Sequence, residues 1–264
     1  TASTVSATDV YGGAASDTIN VNGSNVISSS TIYGANADNT TKDGADFINV
    51  TGGLTITSSL IHGNNGADTL DIKTPLFTRS TASGGKGNDS ILVGGLTTVA
   101  AYTLTNSVVN GGAGNDTLFI NGTMGVINTS SIYGGSASLT ESTGDDLISI
   151  QASITNSLVN SGDGTDTINI SGAVNNSTIT GAESVSLGAV TSTSLTGGSG
   201  ADTIAVTGRV GSSTVDGAAG NDSLAFTGDV FTSSVTGGAG SDTLDMGGAI
   251  SSSTIGGGAG ADSI

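Results

Sequence analysis

Aspartate recurs along this chain on a schedule that a one-off active site would not need. The column runs Asp17, Asp46, Asp68, Asp89, Asp116, Asp146, Asp166, Asp202, Asp222, Asp242 and Asp262. Acid–base catalysis uses one matched pair of carboxylates in unlike surroundings. Many equivalent carboxylates instead suggest a line of hard oxygen ligands or a line of turn caps. In the most regular stretch the Asp closes a glycine-rich phrase every 20 residues: GGSGAD at 197–202, GAAGND at 217–222, GGAGSD at 237–242 and GGAGAD at 257–262. Glycine allows the positive φ that turns loop carbonyls toward one point. Carbonyls and carboxylates from two loops make the flexible all-oxygen cage of Ca²⁺, whereas Mg²⁺ wants a smaller and stricter octahedron.

A fixed period near 20 residues marks a solenoid, each repeat being one coil stacked on the last. Coils open at Gly12, Gly34, Gly63, Gly84, Gly111, Gly134, Ser161, Gly181, Gly197, Gly217, Gly237 and Gly257. After each Asp comes an alternating stretch such as Thr167-Ile168-Asn169-Ile170, a strand signal with its aliphatic residues inward. A second strand-like stretch precedes the next loop. It carries an apolar residue seven positions before the loop (Ile27, Ile56, Phe77, Leu104 onward to Ile250) and a second apolar column two positions before it. Four positions before the loop stands a hydroxyl, from Ser30 to Ser253, expected inward or at a bend and bonded within its own stack. The predicted fold is all-β: a right-handed parallel β-solenoid of about 12 coils, without helices, running through residues 1–264 as one body. Neighbouring carboxylates would then lie about 4.8 Å apart. They would repel by about 1 kcal/mol in water and about 3–4 kcal/mol at an effective dielectric of 20. Such a row must splay into solvent or take cations between its members.

Three insertions, near 36–43, 94–102 and 136–143, fall between the columns and leave them intact. Coil 181–196 is the reverse case: it is short, lacks most of the loop and places Glu183 where Asp belongs, so the row should break there. Both ends fall inside coils without a capping repeat, which reads as a segment of a longer protein.

Composition narrows the function. The net charge of −17, from 22 acidic and 5 basic residues, argues against nucleic acid and anionic membranes as partners. It also opposes compaction unless cations bind. No apolar run is long enough for a membrane helix, so no membrane insertion is expected. There is no Cys, hence no disulfide framework, and His62 is the single histidine, expected at an exposed position. The Ser column has no general base beside it, so the sequence does not read as an enzyme.

The phrases GGKGNDSIL (84–92), GGAGNDTLF (111–119) and GGAGSDTLD (237–245) resemble the nonapeptides of the repeats-in-toxin (RTX) calcium-binding β-roll proteins. The resemblance covers nearly the whole chain. It implies backbone carbonyls and Asp side chains holding Ca²⁺ between successive loops. Carried over, the metal ligands are Asp46, Asp68, Asp89, Asp116, Asp146, Asp166, Asp202, Asp222, Asp242 and Asp262. Asp17 has Ala15 in place of a loop glycine and is left out of that set. This chain departs from the ordinary roll: the phrase returns every ~20 residues rather than about every nine, which implies several ions in one row along one edge only. In this respect it is similar to long-repeat adhesins and surface-layer proteins.

The expected function is a calcium-stabilised structural module of a secreted bacterial surface protein: a surface layer, adhesin stalk or filament. Self-association is expected, through coils 34–160, where the insertions and the outward apolar residues Phe47, Leu60, Leu92, Val108, Phe119, Leu147 and Leu158 concentrate. A cell-surface glycan is a further possible partner. Three alternatives stay open: a metal-free solenoid whose Asp residues only cap turns, an ice-binding or carbohydrate-binding solenoid with outward Thr ladders such as Thr178/Thr180 and Ser234/Thr236, and a non-catalytic module of a secreted enzyme or toxin.

Overall fold

The computed structural model describes residues 5–22, 26–35, 43–52, 55–94, 102–122, 125–136 and 144–264. Among them there is no helix, and the strands pair in parallel with their counterparts one coil earlier and one coil later, the end strands of each sheet on one side only. The chain is a parallel β-solenoid, as the repeat predicts. The bodies of the three insertions lie outside the described residues.

Each coil has three strands rather than the two expected from the pattern. In one regular coil these are Thr203–Val206, Val210–Gly211 and Thr214–Asp216. Stacking builds three sheets: sheet 1 of 11 strands directly after the Asp loop, then sheets 2 and 3 of 12 strands each. The extra division falls at the hydroxyl column. The residue before each of those hydroxyls lies in the left-handed region although none is glycine: Ser58 (φ 50), Asn106 (φ 50), Asn156 (φ 51) and Ser212 (φ 50) are examples. That geometry costs about 1–2 kcal/mol per non-glycine residue. Layer-to-layer bonding offsets it. The Ser58 N–H donates to Thr78 O (3.1 Å), and the Ser59 hydroxyl clamps the corner by donating to Thr57 O (2.8 Å).

The hydroxyl column is therefore both buried and at a bend. Its oxygens also accept: in most coils the N–H of one member donates to the hydroxyl oxygen of the next coil, as in Ser59 to Ser80 (3.1 Å) and Ser80 to Ser107 (3.2 Å). One oxygen per coil satisfies an N–H that the sheets leave over at the corner.

The core is the set of columns read from the sequence. Sheet 1 contributes pairs such as Leu118/Ile120 and Ile204/Val206, sheet 2 the column through Ile56, Phe77 and Leu104, and sheet 3 the column through Ile61, Ala82 and Val109, all fully buried. Phe77 and the smaller Ala82 of its own coil are both fully buried, so large and small residues share one layer. Insertion does not disturb register: Thr18, Phe47 and Thr69 align directly, as do Thr117, Leu147 and Thr167.

The outward apolar residues do not make a single face. Phe47, Leu92, Phe119 and Leu147 lie on sheet 1, whereas Leu60, Val108 and Leu158 lie on sheet 3. His62 is half-buried rather than exposed. It lies one layer on from Tyr33 with the rings tilted at 55° (centroids 6.0 Å apart), its Nδ1 lies 3.2 Å from Ser83 O, and burial lowers its pKa.

Candidate metal row at the aspartate loops

The loop edge joins sheet 3 of one coil to sheet 1 of the next, and the Asp stands at the entry to sheet 1. The structure brings the predicted Asp residues into one line. Their side chains do not splay outward: Asp46, Asp68, Asp89, Asp116, Asp146, Asp166, Asp202, Asp222 and Asp242 are each at most 3% exposed. Asp262, in the last coil, is half-buried.

One carboxylate oxygen has a defined task. Asp68 Oδ1 accepts the backbone N–H of Asp46 (2.8 Å), Asp89 Oδ1 that of Asp68 (2.7 Å), Asp116 Oδ1 that of Asp89 (2.7 Å) and Asp146 Oδ1 that of Asp116 (2.7 Å). The ladder runs from Asp17 to Asp166 and resumes from Asp202 to Asp262. This is the device of the hydroxyl column repeated at a second corner. The sequence offers no sign of it beyond recurrence, because the bond links residues 20 to 30 positions apart.

The second oxygen has no such task. Oδ2 of Asp17, Asp46, Asp68, Asp89, Asp116, Asp146, Asp222 and Asp242 is buried and without a hydrogen-bond partner. It faces the first glycine of its own loop. A Cβ placed on Gly134 would lie 2.8 Å from Asp146 Oδ2 and 2.6 Å from the carbonyl oxygen of Ser161 in the next coil. Approach is at least as close at Gly34, Gly63, Gly84, Gly111, Gly197, Gly217 and Gly237, where the second oxygen is the carbonyl of the following coil's first loop residue. A side chain is thus excluded there on steric grounds. At this edge a carboxylate oxygen and a carbonyl oxygen converge, and at all these loops but that of Asp202 the carboxylate oxygen has no donor.

Burial is the main influence on these groups. It pushes Asp46 and Asp89 up to about 6, Asp68 and Asp146 to about 7 and Asp116 to about 8, against the stabilising N–H bond each accepts. Neighbouring carboxylates add to the rise at Asp46, Asp68, Asp116 and Asp146. Asp202 is raised to about 6, and Asp166 and Asp222 move in the same direction, burial being the largest cause in each.

The donor set suits a hard cation held between layers: an anionic oxygen, a carbonyl from the next coil, and a buried place that a neutral amide would not need. No three acidic, histidine or cysteine side chains cluster among the described residues, so any such ligation draws on backbone carbonyls.

Glu183 is the departure from the row. Its Oε2 accepts the Asp166 N–H at 2.6 Å, so the longer side chain continues the ladder where a break was expected. The interruption comes one step later. Asp202 Oδ1 takes no N–H from Glu183 and is left without a partner, while Asp202 Oδ2 accepts the Gly198 N–H of its own loop (2.7 Å).

Comparison of the chain with protein-family models, with curated proteins and with solved structures finds no match.

Proposed function

We propose that this chain is a calcium-stabilised structural module of a secreted, cell-surface protein, in which Ca²⁺ ions lie in one row along the aspartate edge. The observation that carries this reading is the contrast between the two corner ladders. At the hydroxyl corner one Ser oxygen per coil caps the neighbouring N–H, as in Ser107 to Ser130 (3.2 Å). At the loop corner Asp performs the same capping with Oδ1 and carries a second oxygen that is buried and unpartnered. A Ser or Asn would serve the capping without burying a charge. A cation between the layers gives the second oxygen a role and cancels the repulsion along the row.

The ligands would be the carboxylates of Asp46, Asp68, Asp89, Asp116, Asp146, Asp166, Asp202, Asp222, Asp242 and Asp262, with carbonyls of the first loop residues such as Gly63, Gly84 and Gly111. Bound there, Ca²⁺ ties adjacent coils together and supplies no chemistry beyond that. Repetition without a unique acid–base pair supports a scaffold rather than an enzyme. The net charge of −17 keeps such a rod soluble and leaves it dependent on cations for compaction. The bacterial surface setting rests on the resemblance to long-repeat RTX proteins, and self-association on the exposed Phe47 and Leu147 of sheet 1.

The test is circular dichroism of the purified chain in Ca²⁺ and after exchange into a chelator. Loss of the strand spectrum, or a fall in melting temperature of 10 °C or more, supports the reading. A spectrum and melting point indifferent to calcium would favour the metal-free solenoid.

A further inference from the structure

The short coil 181–196 keeps all three sheets in register: Ser184–Leu187 pairs with Thr167–Ile170 on one side and with Thr203–Val206 on the other. It omits only the loop. The loops at 161–166 and 197–202 therefore stand two layers apart, about 10 Å, and a solvent-open notch of about 600 Å³ separates them. Asn160, Gly162, Asp163, Gly181, Glu183 and Gly198 are among the residues that line it.

Three oxygens surround one point beside Gly198. The position a Cβ would take on Gly198 lies 3.4 Å from Glu183 Oε1, 3.8 Å from the Gly181 carbonyl and 3.9 Å from Asp202 Oδ1. Asp202 is 1% exposed, and this oxygen is buried with no partner. The Glu183 carboxylate is held in place because its other oxygen is fixed on the Asp166 N–H. Asp202 is likewise anchored by its Oδ2 on the Gly198 N–H. Both carboxylates thus keep one oxygen engaged and present the other to the same point.

We propose that this notch is a separate divalent-cation site, in which Glu183 Oε1, the Gly181 carbonyl and Asp202 Oδ1 hold the ion and water fills the rest of its shell. Two carboxylates match a charge of +2, where an ammonium group would leave one uncompensated. Closing by about 1–1.5 Å brings all three oxygens to Ca–O distance. A six- to eight-coordinate ion then keeps roughly three to five waters, which the open notch accommodates and the closed row does not. The site differs from the row in its ligands and its access. It would load and unload without the coils separating, and it stands independently of whether the row holds ions.

The structure also supplies a mild way to block it. A methyl group at Gly198 meets nothing closer than 3.4 Å, and the Gly198 φ lies outside the left-handed region. Gly198→Ala should therefore fold normally while placing a carbon among the three oxygens. The experiment is europium(III) luminescence on the whole chain, with lifetimes in H₂O and D₂O counting the waters on each bound ion. The expected result is one equivalent of water-rich Eu³⁺ (three or more waters) in the parent. It should be absent in Gly198→Ala and at least 10-fold weaker in Glu183→Gln, with any water-poor population unchanged. Overturning results are a water-rich class that survives both substitutions, or a parent that shows no such class. A water-poor class alone would retain the row and remove the notch site; a water-rich class alone, sensitive to Gly198→Ala, would do the opposite.

Discussion

Asp116 Oδ1 accepts the backbone N–H of Asp89 at 2.7 Å, one coil away, while Asp116 Oδ2 is buried with nothing to bond. The two oxygens can be separated by substitution. Asp116→Asn keeps an acceptor for Asp89 and turns a donor toward the Gly134 carbonyl. In chelator it should melt at or above the parent's temperature, and in Ca²⁺ it should gain less than the parent does. Asp116→Ala leaves the Asp89 N–H unsatisfied and should cost about 1–3 kcal/mol in either condition. Thermal unfolding of the three proteins with and without calcium checks both halves.

Acidity should act on the metal-free chain in the direction opposite to most proteins. The row carboxyls are raised by burial, to about 8 at Asp116 and about 7 at Asp68 and Asp146, while the unfolded chain titrates near 3.9. The folded state therefore binds protons more tightly than the unfolded state. Its stability is fullest below about pH 4 as far as these groups decide it, and falls as pH rises through 6 to 8. In chelator the melting temperature should drop between pH 5 and pH 8; saturating Ca²⁺, which replaces the protons, should flatten that slope. A metal-free melting temperature that is constant or rising across this range would contradict the burial of the row.

Glycine at the first loop position is required by space, and two substitutions separate that from a general effect. A Cβ on Gly111 would fall 2.5 Å from Asp116 Oδ2 and 2.7 Å from Asp116 Cβ, with the Gly134 carbonyl closer still. Gly111→Ala should destabilise by about 1–3 kcal/mol through overpacking. Gly256→Ala, where nothing lies within 4 Å, should change stability by no more than about 0.5 kcal/mol. Denaturant melts of the pair give the comparison.

Phe77 is fully buried in the sheet 2 column, aligned with Ile56 before it and Leu104 after it. Phe77→Ala should cost about 3–5 kcal/mol. Solenoid coils contact mainly their neighbours, so the loss should appear first as faster amide exchange in residues 55–105 rather than evenly along the chain.

The coil and its core were legible because the 20-residue period repeats the same inward positions. Ile27, Ile56 and Phe77 face inward in the structure as the spacing predicts. The third strand was not legible. Its boundary is a left-handed corner occupied by Ser58, Arg79 or Asn106, residues that carry no glycine signal and are held there by bonds to the next layer. The Asp line was legible as a line, but not the division of labour within each carboxylate. That division depends on a donor 20 to 30 residues away and on which oxygen the neighbouring glycine leaves room for. The break expected near Glu183 falls between Glu183 and Asp202; its exact place is not legible in the spacing, because one extra methylene lets Glu183 reach the Asp166 N–H without a loop.

The central claim, calcium between successive Asp loops, is tested most directly by anomalous diffraction from crystals grown in Ca²⁺. The account predicts peaks along the edge from Asp46 to Asp166 and from Asp202 to Asp262, each about 2.4 Å from an Asp Oδ2 and from a loop carbonyl. Ordered carboxyls with no peak, and with Oδ2 about 2.7 Å from that carbonyl as in an O–H···O bond, would show a ladder of protonated aspartates instead and contradict it.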